Sequence, residues 1–396
     1  MKIVYWLSTT ILATAAVAAN VPKDLSGVRG ANYFPAGAKN ATDFWQNYSP
    51  AETERDLDYA RRLNLNQLRV FTSYQAWNAD KPAFRKNLVH LLRAAHQRGM
   101  GVMLVVGYTP QMITDQSARA LAREWAADLV RTAGGEPGLA FWDVTNEPDW
   151  PTTPEERVRR RFDLARYMAG VFHEFDKKTP VTIGFAFVPG MEELADAVDV
   201  LSFHDYMQNR AVIRANIARA KAFAAKVGKP VFNTELGCVG RANPYDVTLQ
   251  EHQNAGVGWY IWELMITPRW GTVHGVFYPD GSIRDPSIPA AMFGFFRNRG
   301  EKVVLEDPDL EQWVTKAVAN ARKWLAAADG KWEDGLDAAE TAANLIESAQ
   351  LAAMREPPTR TIDLLRRGKP DVPALRKAME KYIAILEPYQ HPKQGN

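Results

Sequence analysis

From residue 27 onward the chain repeats one unit: a short apolar run, a polar or aromatic end, then a stretch with helical spacing. The apolar runs fall at residues 28–34, 66–74, 102–108, 140–147, 181–187, 198–206, 231–236 and 257–264. Helical patterns lie between them, at residues 52–63, 83–97, 118–131, 154–175 and 212–225. In the second of these Leu88, Leu91, Leu92 and Ala95 share one face, the period at which a helix packs onto a sheet. Strands alternating with helices predict a parallel sheet. Eight such pairs, closed by a helix near residues 288–296, predict an α/β fold, the (β/α)8 TIM barrel, rather than an open sheet.

After about Arg299 the pattern turns to alanine-rich helix. Leu310, Trp313, Val314, Ala317, Val318, Ala321, Trp324 and Leu325 fall on one face; a second stripe runs over residues 336–354 until Pro357 and Pro358 break it. A third comprises Val372, Leu375, Met379, Tyr382, Ile383 and Leu386. These stripes predict a C-terminal α-helical extension over residues 301–396, packed on the outside of the barrel or as a small bundle beside it. A dimer contact or partner surface is the alternative use of the same faces. The tail shows no internal repeat, and no Ser/Gly-rich linker precedes it.

At the other end, one Lys near the start, an apolar run over residues 3–16 and small residues before Asn20 have the anatomy of a secretory signal at residues 1–19. The expectation is an exported protein, periplasmic or extracellular, with a barrel over residues 20–300. The leading run is too short for a stable membrane span, and no other stretch is long and apolar enough. A formal charge of +2 gives no reason to expect nucleic acid, and the basic run at residues 157–161 reads as the solvated face of a helix. Cys238 is the only cysteine, so no internal disulfide is available. The seven histidines lack metal-site spacing, and neither a metal nor another cofactor is expected. Asn40 and Asn47 head Asn-x-Ser/Thr sequons.

Barrel sites form at the carboxyl ends of the strands. Here those ends carry Arg69, Asn146, Glu147, His204, Tyr206, Glu235 and Trp262. In Phe-Trp-Asp-Val-Thr-Asn-Glu-Pro, with Asp143 the only polar residue from Phe141 to Thr145, a strand runs straight into an amide and a carboxylate. Pro148 predicts extended backbone at Glu147 and the end of the strand. Pro-Val-Phe-Asn-Thr-Glu-Leu-Gly likewise runs a strand into Glu235. Alternation puts Ser202, His204 and Tyr206 on one face, and sends Asn146 and Glu147 apart unless the strand is ending there.

Two carboxyl groups across one mouth suit glycoside hydrolysis, one as acid and the other as nucleophile or as base toward water, with their separation setting the stereochemistry. Keeping them in different protonation states needs unequal surroundings; Arg69 and Tyr206 are the available partners for Glu235, which leaves Glu147 as the acid. Asn146 offers an amide to a sugar hydroxyl and Trp262 an apolar face to a pyranose. Asp149, Asp205 and Glu263 read as capping and orienting carboxylates. Tyr33, Phe34, Trp45, Trp77, Trp150 and Trp270 are further aromatic candidates for sugar contact, the strongest being Trp150, beside the acid, and Trp270, in a long loop over residues 267–285.

These residues fall in motifs similar to those of the retaining β-glycosidases of glycoside hydrolase clan A, most nearly family 5, the cellulases, β-mannanases and relatives. The motifs are Arg-Gly-Ala-Asn-Tyr-Phe from Arg29, Leu-Arg-Val-Phe from Leu68, Trp-Asp-Val-Thr-Asn-Glu-Pro from Trp142, Ser-Phe-His-Asp-Tyr from Ser202, Asn-Thr-Glu-Leu-Gly from Asn233 and Trp-Tyr-Ile-Trp-Glu from Trp259. The resemblance covers residues 27–298 and none of the tail. It implies Glu147 as acid/base, Glu235 as nucleophile, Asn146 on the 2-hydroxyl, Arg69 and Tyr206 supporting the nucleophile, His204 at the site, and Trp262 under the sugar, often followed by a non-proline cis peptide. Many family members carry a histidine at the end of the third strand; here Val-Val-Gly-Tyr at residues 105–108 has none, and Tyr108 fills the gap by packing or by touching sugar. That departure weakens a cellulase reading and leaves mannanase-like or exo-acting relatives more open.

The expected activity is retaining hydrolysis of β-linked poly- or oligosaccharides, of β-mannan or β-glucan type. The alternatives are an exo-acting β-mannosidase, β-glucosidase or β-galactosidase of the same clan and, in another class, a barrel that binds glycans without cleaving them. Acyl transfer has no Gly-x-Ser-x-Gly motif to support it.

Overall fold

A computed structural model describes residues 21–150, 155–239, 243–296, 310–348, 351 and 357–390. The expected export signal lies outside the described residues. The chain divides into two compact units, Met1–Phe296 and Arg297–Asn396.

The first unit is a (β/α)8 barrel. Its strands are β1 (Arg29–Asn32), β2 (Gln67–Phe71), β3 (Gly101–Val105), β4 (Leu139–Asn146), β5 (Val181–Gly184), β6 (Leu201–Asp205), β7 (Val231–Leu236) and β8 (Gly258–Ile261). All paired strands are parallel, in the order β5-β4-β3-β2-β1-β8-β7-β6. A parallel bridge between Phe185 and Phe203, with the His204 N–H donating to the Phe185 carbonyl at 2.7 Å, joins the two ends of that order. Each strand lies within or beside its predicted apolar run, usually a few residues shorter.

Strand alternation decides what fills the interior. On β4, Trp142 and Val144 join the core under the helices, while Phe141 belongs to a separate cluster with Leu25, Val28, Met103, Val200, Phe232 and Tyr260. That second cluster is the apolar floor of the barrel. On β2 the same parity sends Leu68 and Val70 to the helix side, leaving Arg69 inside. The polar ring therefore stands above a closed hydrophobic base.

The helix Lys81–Gln97 buries Phe84, Leu88, Leu91, Leu92, Ala94 and Ala95, and begins where Asp80 accepts the Ala83 N–H at 3.0 Å. Two helices that the apolar spacing did not announce, Val188–Glu193 and Tyr245–Ala255, follow β5 and β7. The closing helix is Ser287–Met292.

In the second unit the helices are Leu310–Ala326, Trp332–Ser348, Pro358–Arg367 and Val372–Leu386. They share a core of their own, including Val314, Ala321, Leu336, Ile346, Ile362 and Met379. Pro358, read from sequence as a break, opens the third helix instead. A first-turn residue needs no intrahelical N–H, so proline fits there. Among the described residues no helix is long and apolar enough to cross a membrane.

Candidate active site

Arg69 is the centre of the mouth. It is fully buried at the middle of β2, and four side chains from three other strands converge on it. Nε and Nη2 both donate to Asp143 Oδ2, at 2.9 and 2.8 Å. Nη1 donates to Asn32 Oδ1 at 2.9 Å and to Glu235 Oε1 at 2.6 Å, and Nη2 donates to Asn146 Oδ1 at 2.6 Å. Burial works against the guanidinium charge, but Asp143 and Glu235 outweigh it and hold Arg69 protonated, above its ordinary value.

Asp143 and Asn146 are three residues apart and should face opposite ways on a regular strand, yet both reach Arg69. The β4/β5 register shifts between them, and such an irregularity re-aims the side chains that follow it. Similar shifts lie between Phe203 and His204 and between Asn233 and Leu236. Gly184 makes room for the cluster: a Cβ there would lie 2.8 Å from Arg69 Nη2, 2.9 Å from His204 Nε2 and 3.0 Å from Asp143 Oδ2.

Glu235 accepts on both oxygens, from Arg69 on Oε1 and from the Tyr206 hydroxyl on Oε2 at 2.9 Å. Burial raises its pKa, opposed by Arg69 and reinforced by Glu147. The Tyr206 phenol is pushed well up, chiefly by burial, so it remains an O–H donor. Two donors on one carboxyl address its ionised form.

Glu147 sits one residue past β4, at φ 45°, where the Pro148 rule predicted extended backbone. The expectation fails because tertiary hydrogen bonds set the turn. The Glu147 N–H donates to the Gly184 carbonyl at 2.6 Å and the Trp150 N–H to the Glu147 carbonyl at 3.2 Å. Asp149 accepts from the Ala186 and Phe187 N–H groups at 2.8 and 3.0 Å. These ties lash the end of β4 to the loop after β5 and hold a non-glycine residue in a costly backbone region. The result turns the Glu147 side chain toward His204, whose Nδ1 lies 2.8 Å from Glu147 Oε1 and 3.5 Å from Glu235 Oε2. Burial depresses the imidazole to about 4, so at neutral pH it is uncharged. Its Nε2 has no partner among the described residues, which assigns the single proton to Nδ1, donating to Glu147.

Glu147, His204 and Glu235 place one oxygen or nitrogen each within 4.8 Å of the others, a spacing that also fits metal ligands. Here Glu147 is hydrogen-bonded to His204, and Glu235 accepts from Arg69 and Tyr206, so these groups are already engaged with the network.

A cleft of about 560 Å³ lies over this network. Asn146, Glu147, Tyr206, Glu235, Trp262, Trp150, Trp270 and Tyr108 all line it, while Arg69 and His204 are buried behind. The peptide bond after Trp262 is cis. Tyr108 lines the cleft, but its hydroxyl is buried, with no partner among the described residues. Of the six further aromatics, Phe34, Trp150 and Trp270 line the cleft. Tyr33, Trp45 and Trp77 are buried in loop packing, bonded to Asp56, the Phe71 carbonyl and Asp128. Asp205 accepts from Met207 N–H and Asn216, and Glu263 from Thr267.

Asn32 and Asp143 are the site residues that the strand-end survey missed. Asn32 Nδ2 donates to the Thr234 and Ile261 carbonyls, tying β1 to the strands beside it. Asp143 had a signal, as the lone charge in an apolar strand. Both are fully buried.

The coordinates superpose on the GH5_18 protein of Streptomyces cattleya in complex with Manβ1-4GlcNAc with a TM-score of 0.58 and 18% identity, over 69% of this chain and 81% of that one. The barrel has the fold of the family 5 glycoside hydrolases. An exo-β-1,4-mannosidase from an Opitutaceae bacterium matches with a TM-score of 0.52 at 20% identity, over 69% of this chain and 60% of that one. An endo-1,4-β-mannanase from Rhizomucor miehei matches at 0.52 and 12%, over 67% and 92%. No family model and no curated protein matches the sequence.

Proposed function

We propose that the chain is a retaining glycoside hydrolase acting on β-linked poly- or oligosaccharides of the mannan type. The observation that carries this is the pair of glutamates on one cleft, with oxygens within 4.8 Å and unlike surroundings. Carboxyl groups of a retaining pair stand about 5 to 5.5 Å apart, against about 6.5 to 9.5 Å where a water must fit between them. Glu235, met by Arg69 and Tyr206, attacks the anomeric carbon. Glu147, its carboxyl plane fixed by His204, protonates the departing oxygen. Once the glycosyl ester forms, the charge on Glu235 is gone, repulsion on Glu147 falls, and the same carboxylate takes a proton from the incoming water. Asn146, fixed through Oδ1 by Arg69, presents its amide N–H groups to the reacting sugar. Trp262 supplies an apolar wall.

Mannan-type substrates are supported by the fold neighbours, which include an endo-mannanase, an exo-mannosidase and a protein holding Manβ1-4GlcNAc. Export by the N-terminal segment belongs to the same reading, since polymeric glycans lie outside the cell. The test is hydrolysis of a panel of β-linked polysaccharides and aryl glycosides, with the anomer of the first product followed by NMR. Retention of the β configuration is expected, and an α first product would reject double displacement. Monosaccharide alone as product marks exo action and mixed oligomers endo action. Calorimetric binding of a glycan that is never shortened would mark a binding protein instead.

A further inference from the structure

Among the described residues, the charged side chains lining the cleft are Glu147, Glu235, Lys39 and Arg269. The two acids are the reacting pair, and Arg69 neutralises one of them from behind. Lys39 and Arg269 have no acidic partner among the described residues and are exposed. They stand on the loops after β1 and β8, which are neighbouring strands, so they share one side of the mouth. Asp43, the nearest acid to Lys39 in sequence, already accepts from the Lys39 N–H and from Asn47.

Both cations ride on fixed backbone. Arg284 donates to the Gly271 and His274 carbonyls, and the Gly271 N–H closes on the Thr267 carbonyl at 2.7 Å, which braces the loop carrying Arg269. The Arg269 guanidinium lies 5.0 Å from the centre of the Trp270 ring, beside an aromatic wall of the cleft. A neutral glycan needs amides and hydroxyls around it. Two uncompensated cations beside an aromatic wall, facing two carboxyl groups, fit a ligand that brings negative charge with it.

We propose that the cleft takes an anionic glycan, a β-linked saccharide bearing a carboxylate or a sulfate ester that Lys39 and Arg269 bind on the β8/β1 side. This deepens the glycosidase reading and rests on it. An anionic sugar entering without those cations would be repelled by the reacting carboxyl pair; with them, the charge on the lip is balanced.

The experiment compares β-mannan oligosaccharides with the same chains oxidised at C6 to uronates and the same chains sulfated at C6. Kinetics on the wild type are paired with calorimetric titration of each ligand into Glu147→Gln. Two exposed charge contacts should favour an anionic member by about five- to twentyfold in KM and in Kd at low salt. The preference should collapse in the double variant Lys39→Ala, Arg269→Ala and shrink in half-molar salt. Whether uronate or sulfate gains more identifies the anion. Equal or weaker binding of both anionic members by Glu147→Gln overturns the proposal, as does a preference that survives the double variant. Absence of hydrolysis with anionic preference intact in the titrations would sink the glycosidase reading and leave the charge assignment standing.

Discussion

Among the described residues, every buried polar or charged side chain, from Asn32 to His274, belongs to the barrel, whereas the four C-terminal helices enclose aliphatic and aromatic groups such as Val314, Leu336 and Met379. Burying a charge costs several kcal/mol unless it is paired and hydrogen-bonded, and even a good pair seldom outperforms a packed apolar substitute. The helical unit follows the rule for stability. Above its apolar floor the barrel departs from that rule, concentrating Arg69, Asp143, His204 and Glu235 beneath the cleft. A costly polar cluster that is held together by hydrogen bonds and opens on a cleft points to chemistry, and an apolar bundle core by itself does not.

The comparison breaks first at the two glutamates. Glu147→Gln should lower kcat by about 10²- to 10⁴-fold, the range for loss of a general acid, and Glu235→Gly should abolish turnover. Azide should restore bond cleavage to Glu235→Gly with a glycosyl azide of inverted configuration; full activity in either variant would reject the assignment. Next comes Arg69→Met, which strands two buried carboxyl groups and should destabilise the barrel by about 3 to 5 kcal/mol in urea unfolding. If stability held, the network would be far less tightly coupled than its distances imply.

Leu375→Ala, in the wholly buried core of the second unit, should cost about 2 to 5 kcal/mol there, read by hydrogen exchange in residues 310–390. Unchanged protection would mean that the stripe is not a core. The smallest effect concerns Glu263, whose Oε2 is buried without a partner among the described residues. Burial pushes its carboxyl from 4.5 to about 8, so the folded state prefers it protonated. Its contribution to stability is complete below 4.5 and is lost as pH rises through about 8. Glu263→Gln should therefore melt higher than wild type at pH 9, with the gap closing toward pH 5; a pH-independent gap would contradict a titrating Glu263.

Much of the barrel was legible because the signals are local. Period-2 apolar runs place the strands, and the runs around Leu68 and Phe203 mark β2 and β6 within a few residues. Helices with weaker contrast were not: Tyr245–Ala255 buries Asp246, Glu251 and His252 along with its apolar residues, so its buried face does not read as hydrophobic. Pro358 illustrates another ambiguity, since the same residue that stops one helix starts the next. In the site, strand-end position pointed to five of the cleft-lining residues, Asn146, Glu147, Tyr206, Glu235 and Trp262, but it passed over Asn32, because the predicted first run extends beyond it to residue 34, and Asp143, which lies within β4, where position alone gives no hint of a shared guanidinium.

The sequence by itself determined the order of strands and helices, the apolar stripes of the tail, and which side chains stand at strand ends, because each is written in spacing between near neighbours. Only the tertiary structure decided that Arg69 bonds four side chains from three other strands, that a register shift turns Asn146 inward, and that Glu147 takes a positive φ. Those outcomes depend on hydrogen bonds between residues tens to hundreds of positions apart. Alternation states which face a side chain takes; it carries no information on how strands that meet only when the barrel closes are set against one another.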